Sequence, residues 1–569
     1  MNEMPKPHQK LLAFNKIYYE INKKYGFKAA NRWLELEWTK ALYMHDANTS
    51  TFKPYCYSYD LKRLAEEGLF FIEGFNAEPA KHLVTFVDFV KEFINYTSNR
   101  TSGACGLANL IPYMYYFWDR DVKAGYYTIS PEAYAKQNIQ RFIYAVNQPC
   151  VRDGMQSAFT NTSIFDHAYL EALFGGAEFP DGEFMIDEIE GIMDFQKLFL
   201  KTMSEIRSKN MFTFPVNSIS LLRSKDGKFA DPEFAEWACG HNMIWYDSNL
   251  FIDDSVTSLS NCCRLKSNID DLGFFNSIGG TALRVGSVKV STINLARLAL
   301  EHNNEKDYLI ALRDVCETNL QALDCVRHII KRNLDKGLLP NYQDGLIDIT
   351  TQYNTIGVMG IYEAIKSFGY LTVDEFGNTF YTEEAFAFGK KIFDVIHNTK
   401  SQFGLDKDYM INVEAIPGEQ CASKMQKADT MLYPDKVVDD LPLYGNQFIP
   451  LGIKTTLQER IRIAAAFDEF CNGGSILHAN IEGPFASFEQ AWDMLNYIAD
   501  QGVTYFAFNT KIQACKHNHA FYGTVCPECG CPVETEYTRI VGFYTPVKTY
   551  SKERKAEYKM REWENVRGI

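Results

Sequence analysis

Short apolar runs bounded by glycine or proline alternate with helix-patterned stretches along most of this 569-residue chain, and that alternation limits its fold more than any other feature. "MFTFPVNSISLL" (211–222), "TALRVGSVKVSTINL" (281–295), "GGSILHANI" (473–481) and "VTYFAFNT" (503–510) read as buried strands. Residues 8–45, containing "AANRWLELEWTKALYMH", read as helical, and "EKDYLIALRDVCETNLQALDCVRHIIKRNL" (305–334) as one long amphipathic helix. An α/β sheet or barrel without an internal linker is the expected result. The composition shifts after Asn509 to dense Cys, His and Gly, which predicts a body over 1–509 and a small tail over 510–569.

The hydrophobic fraction of 46% and the aromatic fraction of 14%, with no low-complexity tract, describe a folded, enzyme-like chain. A net charge of -14 argues against a surface built to neutralise nucleic-acid phosphates. No apolar run reaches membrane-spanning length, and the start "MNEMPKPHQK" lacks the order of a signal peptide. The expectation is therefore a cytoplasmic protein, without membrane or nucleic-acid partners, whose 14 cysteines stay reduced.

Four tail residues, Cys515, His519, Cys526 and Cys529, follow the pattern Cys-x3-His-x6-Cys-x2-Cys, and "CPECG" is a turn that sets two thiolates on one side of a metal. His517 or Cys531 can replace one of the four. A closed shell of four protein ligands leaves no position for substrate, so the expected zinc is structural and holds together a tail too small for its own core. Directly behind it comes "TRIVGFY" (538–544), where Gly542 interrupts good strand formers. A glycine there marks a bulge, a corner, or an alpha carbon with a task of its own.

The zinc-type cluster followed at once by "RIVGF", together with "SNCCRLKSNI" in mid-chain, resembles the large subunit of anaerobic (class III) ribonucleotide reductases, which are glycyl radical enzymes. "YCYSYDL" (55–61), "NQPCVRDGMQSAFTN" (147–161), "GGTALRVGSVKVSTINLARL" (279–298), "EAIPGEQCASK" (414–424) and "GGSILHANIEGPF" (473–485) resemble family segments in family order. The resemblance implies a ten-stranded α/β barrel with a C-terminal zinc-ribbon and glycyl radical domain. It implies ribonucleoside triphosphates as substrates, deoxyribonucleotides as products, and formate or a thiol redoxin as reductant. It also implies a partner activase using S-adenosylmethionine and an iron-sulfur cluster, and a homodimer responding to nucleotide effectors. From the start of the sequence, near the catalytic body, the expectation is a chain without the ATP-cone regulatory domain of many members.

By the same resemblance Gly542 carries the stored radical and Cys263, in "CCR", forms the thiyl, with Cys262 as the fallback. Cys105, in "SGACGLANL", resembles the second active-site cysteine. Asn294, in "STINLARL", matches an asparagine near the ribose, but satisfying backbone at a strand end is an equally ready role. Cys421 and Glu419, in "PGEQCASK", open a helix whose amides suit substrate phosphate; Cys421 is otherwise a packing residue and Glu419 a first-turn acid. Two rival functions remain. A formate-lyase type acyltransferase shares the glycyl radical but lacks the Cys/His cluster, and a zinc-ribbon nucleic-acid-binding protein conflicts with the acidic balance.

Overall fold

The computed structural model describes residues 6–49, 51–149, 151, 156–256, 258–261, 265–268, 283–437, 441–540 and 542–566. Ten strands, in chain order, make its centre: β1 (Cys56–Ser58), β2 (Cys105–Leu107), β3 (Thr160–Phe165), β4 (Val216–Leu222), β5 (Ser248–Asp253), β6 (Gly286–Asn294), β7 (Gln352–Met359), β8 (Ile411–Ala415), β9 (Leu477–Asn480) and β10 (Tyr505–Asn509). They pair in the order β8-β7-β6-β1-β2-β3-β4-β5-β10-β9, and the short strand Leu42–Met44 adds to the edge of β6.

β1 to β5 run parallel to one another. β6, β7 and β8 are mutually parallel, as are β9 and β10. The two sets meet antiparallel at β1/β6 and β5/β10. A parallel bridge between Glu414 and Gly474, with Gly473 N donating to Val413 O at 2.7 Å and Ala415 N to Gly474 O at 3.0 Å, joins β8 to the chain entering β9 and closes the cylinder. Gly473 is required there, because a Cβ would stand 2.8 Å from Asn412 Nδ2 and 2.9 Å from Val413 O. The result is the expected barrel, built as two five-stranded parallel halves.

Helices pack around it. The longest, Glu305–Asp335, is capped by Asn304, whose side chain accepts from Asp307 N, and carries Glu305 and Asp307 in its first turn, where the helix dipole favours acids. Its buried stripe, including Tyr308, Leu312, Val315 and Cys316, lies against β6, β7 and the helix Glu383–Gly404. The stretch 8–45, expected as helix throughout, is instead two helices and a strand. Gly26, at φ 89°, ends Lys6–Tyr25 and starts Phe27–Thr39, and Leu42–Met44 is drawn into the sheet by β6.

The second of these helices buries Glu37, whose carboxylate accepts from Met44 N at 2.7 Å. Burial pushes this carboxyl up to about 7, against the opposing pull of Lys40, Lys10 and Lys289. The folded chain thus retains a proton that the unfolded chain releases above the ordinary value of 4.5. Stability from this group is full at low pH and falls as pH rises from 4.5 to about 7. Wild type should melt at lower temperature at pH 7.5 than at pH 5.5 by a margin that shrinks in Glu37→Gln. An unchanged margin in differential scanning would rule this origin out.

After β10 the chain forms a four-stranded antiparallel sheet from β11 (Ile512–Cys515), β12 (Ala520–Phe521), β13 (Val533–Arg539) and β14 (Tyr544–Pro546), in the order β12-β11-β13-β14. Ile512, Ala514, Ala520, Tyr537 and Tyr544 pack onto Met211 and Trp245 of the body. Among the described residues no helix is long and apolar enough to cross a membrane.

Candidate functional site

"TRIVGFY" is not one strand. Arg539 ends β13 and Tyr544 begins β14, with Arg539 paired to Tyr544 across the hairpin, so Gly542 belongs to the corner between them and is buried. The glycine is a corner, and the corner is pinned. Arg539, fully buried, donates from Nη1 to Gly542 O at 2.5 Å and to Asn249 Oδ1 at 2.6 Å, and from Nη2 to Tyr246 O at 2.8 Å. Its own N donates to Asn509 Oδ1 at 3.0 Å, and Arg561 Nη1 donates to Arg539 O at 2.8 Å. Ser248 and Asn249 begin β5 and Asn509 ends β10, so this corner sits over one end of the barrel. Burial lowers the pKa of Arg539, and cation-π contact with Tyr544, 4.8 Å from the ring centroid, offsets part of the desolvation.

Phe543, next to Gly542, meets Phe214 and Phe159, with ring centroids 5.2 and 6.5 Å apart. Phe159 clusters with Cys56 and Ala104. The strand register explains the grouping. Tyr57 pairs with Cys105, and Cys105 with Thr160, so the residues before them, Cys56, Ala104 and Phe159, form one row on the opposite face, and Ser58, Gly106 and Asn161 the next row along. On that face Ser218 Oγ lies 2.9 Å from Tyr505 OH, Asn249 Nδ2 donates to Tyr505 OH at 2.8 Å, and Asn249 also receives Arg539. It is the barrel interior.

Cys105 stands on the other face. Tyr57 in its row, and Thr162 two residues past its partner Thr160 on the same face, look outward: Tyr57 meets Tyr59 edge-on, which meets Phe93 of the helix Leu83–Ser98 edge-on, while Thr162 Oγ1 donates to Asn217 Oδ1, whose amide donates to Met203 Sδ on the helix Ile189–Lys209. Cys105 is fully buried, 3.4 Å from Thr101 Oγ1. The expectation that Cys105 faces the ribose is corrected by this parity, and the interior cysteine of β1 is Cys56. The signal for Cys56 in the sequence is the alternation Cys-Tyr-Ser-Tyr over 56–59, small polar against aromatic.

Asn294 is fully committed to the protein. It caps the helix Leu295–Glu301, with Oδ1 accepting from Arg297 N at 3.1 Å, and its Nδ2 donates to Lys40 O at 3.2 Å and Asp429 Oδ2 at 3.0 Å. Asp429, also held by Arg297 Nε at 2.7 Å and Tyr444 OH at 2.6 Å, turns this corner into a closed buried network. Of the two residues' roles left open from sequence, strand-end backbone satisfaction is what the geometry contains. Cys421 is buried on the helix Glu419–Leu432, its thiol donating to Met425 Sδ at 3.5 Å; burial raises its pKa, which suits a packing thiol. Glu419 opens that helix after Gly418 in the left-handed region. Cys262 and Cys263 fall between the antiparallel strands Ser258–Asn261 and Leu265–Asn268 and lie outside the described residues.

The side-chain ligand atoms of Cys515, His519, Cys526 and Cys529 all lie within 4.8 Å of one another. A tetrahedral zinc with Zn–S bonds of about 2.3 Å has S···S edges of about 3.8 Å. Cys529 Sγ and Cys515 Sγ are 3.7 Å apart, and Cys526 Sγ and His519 Nδ1 3.5 Å, so the donor set fits such an ion. His517, Cys529 and Cys531 make a second, more exposed trio that shares Cys529. The cluster can hold a metal such as zinc at the Cys515/Val533 end of this sheet, opposite the Arg539/Tyr544 corner that carries Gly542.

The model of the family "Anaerobic ribonucleoside-triphosphate reductase" matches residues 2–563. A solved anaerobic ribonucleotide reductase is 38% identical, with a TM-score of 0.91 over 98% of this chain and 88% of that one. The Thermotoga maritima anaerobic ribonucleotide reductase in complex with dATP and CTP is 38% identical, with a TM-score of 0.89 over 98% of this chain and 90% of that one. A curated anaerobic ribonucleoside-triphosphate reductase of Haemophilus influenzae is 23% identical over 267 residues, which span 42% of this chain and 36% of that protein. By the family model and by the solved relatives at this identity and coverage, the chain belongs to the anaerobic ribonucleoside-triphosphate reductase family.

Proposed function

We propose that this chain reduces ribonucleoside triphosphates to 2'-deoxyribonucleoside triphosphates by radical chemistry inside the barrel, with residues 1–509 as the catalytic body and 510–569 as the tail that stores the radical. The observation that carries this reading is the Arg539–Gly542 clamp at the barrel end, with Phe543 against the Phe159 and Cys56 row.

A partner activase with an iron-sulfur cluster and S-adenosylmethionine removes one alpha hydrogen from Gly542. The radical is shared between the amide nitrogen and the carbonyl, and a guanidinium donating to that carbonyl favours the form with charge on oxygen. Gly542 then takes hydrogen from Cys263, and the thiyl takes the ribose 3'-hydrogen. The 2'-hydroxyl leaves as water with a proton from a neighbouring acid. Formate, oxidised to carbon dioxide, or a dithiol, oxidised to a disulfide, supplies the two electrons. Cys263 returns the 3'-hydrogen and regains its own from Gly542. A metal held by Cys515, His519, Cys526 and Cys529 would supply only rigidity to the tail. The Thermotoga maritima enzyme with dATP in its specificity site supports nucleotide regulation for this chain too.

Cys56 is the interior thiol suited to protonate the leaving hydroxyl or join the reductant. Cys56→Ser should keep the glycyl radical and lower kcat by about 100-fold or more, the usual yield of one positioned acid. Cys105→Ser should leave kcat within severalfold. The reverse pattern in anaerobic turnover assays would return the role to Cys105.

A further inference from the structure

The interior row beyond Cys56 holds polar groups that no other described residue engages. Ser58 Oγ is fully buried, and Asn161 is 2% exposed. Among the described residues neither Ser58 Oγ nor either amide atom of Asn161 has a hydrogen-bond partner. A lone serine would be weak evidence, because its hydroxyl rotates to suit. An amide with both ends unused is not, since buried polar atoms are almost always paired.

Their placement narrows the reason. Ser58, Gly106 and Asn161 are lateral neighbours on β1, β2 and β3. A Cβ on Gly106 would stand 2.9 Å from Asn161 Oδ1 and 3.2 Å from Ser58 Oγ, so the two polar ends converge over the bare glycine. The row lies about 6.6 Å further along the strands than Cys56 and Phe159, two residues of strand rise. On the same face, Ser218, Asn249 and Tyr505 satisfy one another and hold Arg539. Among the described residues, Ser218, Asn249 and Tyr505 are thus engaged by protein, whereas both ends of the Asn161 amide beside the Cys56 row are not.

We infer that Asn161, with Ser58 beside it, orients the ribose of the substrate by hydrogen-bonding its vicinal 2'- and 3'-hydroxyls. A primary amide offers an acceptor and a donor side by side, the complement of two adjacent hydroxyls, and Ser58 supplies a third group that can donate or accept. The sugar then lies between the two rows, its 2'- and 3'-hydroxyls held by Asn161 and the departing 2'-hydroxyl facing the Cys56 row. Asn161 takes the hydroxyl-orienting part first assigned to Asn294, whose amide is spent on Arg297, Lys40 and Asp429. The inference rests on the reductase reading and adds to it the residues that read the sugar.

The test is equilibrium binding of CTP, 2'-deoxy-CTP and 3'-deoxy-CTP to the full, unactivated chain under anaerobic conditions, for wild type, Asn161→Ala, Asn161→Asp and Ser58→Ala. Wild type should prefer CTP to each deoxy analogue by about tenfold, the worth of a hydrogen bond whose loss leaves a buried group unpaired. In Asn161→Ala the preference should vanish, because CTP loses two hydrogen bonds to the amide and each deoxy analogue only one. Asn161→Asp, which keeps the acceptor and loses the donor, should remove the preference over one analogue and retain it over the other. Ser58→Ala should reduce it without abolishing binding, and serves with Asn161→Asp if Asn161→Ala does not fold. An unchanged preference in the variants, or equal weakening of all three nucleotides, would overturn the assignment in favour of a purely structural role. Failure of wild type to bind CTP would instead remove the reductase reading, and this assignment with it.

Discussion

Gly542→Ala should abolish both the radical and turnover. The activated wild type is expected to give a glycyl doublet in electron spin resonance, from the one alpha hydrogen that remains, and the variant no such signal. The reason is local. Planarising an alpha carbon that bears a methyl group moves that methyl, and residue 542 is buried at a tight corner whose carbonyl is fixed by Arg539. Spin delocalisation across the peptide requires just that planarity. Oxygen should break the activated wild-type chain at this residue, leaving a fragment that ends near 541, and should leave Gly542→Ala intact. A persistent doublet in the variant would move the radical to another residue and remove the reason for the clamp.

Cys526→Ser should release the metal and, with it, the radical. Wild type is expected to carry about one zinc per chain, since structural Zn sites bind with roughly 10–16 kcal/mol of apparent free energy in small domains. The sheet β11–β14 has few apolar residues of its own beyond those it lends to Met211 and Trp245. Without the metal, the turn at 526–529 and the segment 515–519 lose their common anchor, and β13, which delivers Arg539, loses order. Metal analysis should fall from about one zinc to near zero, proteolysis should select sites after residue 510, and radical yield should drop by tenfold or more. His517→Ala should retain the zinc. Full zinc in Cys526→Ser, or its loss in His517→Ala, would transfer the shell to the alternative trio.

The long apolar strands were legible because β-branched runs such as "VGSVKVSTIN" bury both faces and carry the barrel pattern in themselves. β1 and β2, three residues each, were not. They owe their existence to lateral pairing with β6 and β3 rather than to local propensity. That is also why the sequence does not single out Cys56: with a side-chain period of two, the face a residue takes needs the register, which a three-residue strand does not announce. The cap at Asn294 was half-legible in "INLARL", where an asparagine stands before a helical run. Asn161 was invisible, because an unpaired amide is a property of its surroundings. The corner at Gly542 was read as one of three possibilities, and the hairpin register of β13 and β14 selects among them.

The central claim is that a radical stored at Gly542 is spent on a ribonucleotide. Its most direct measurement is a single anaerobic incubation of the protein with its activase, S-adenosylmethionine, a ribonucleoside triphosphate and either formate or a dithiol. The glycyl doublet and the deoxyribonucleotide are quantified together. The expected result is a doublet and multiple equivalents of 2'-deoxyribonucleoside triphosphate per radical. A full doublet with no deoxyribonucleotide from any of the four ribonucleotides would contradict it and favour an acyltransferase.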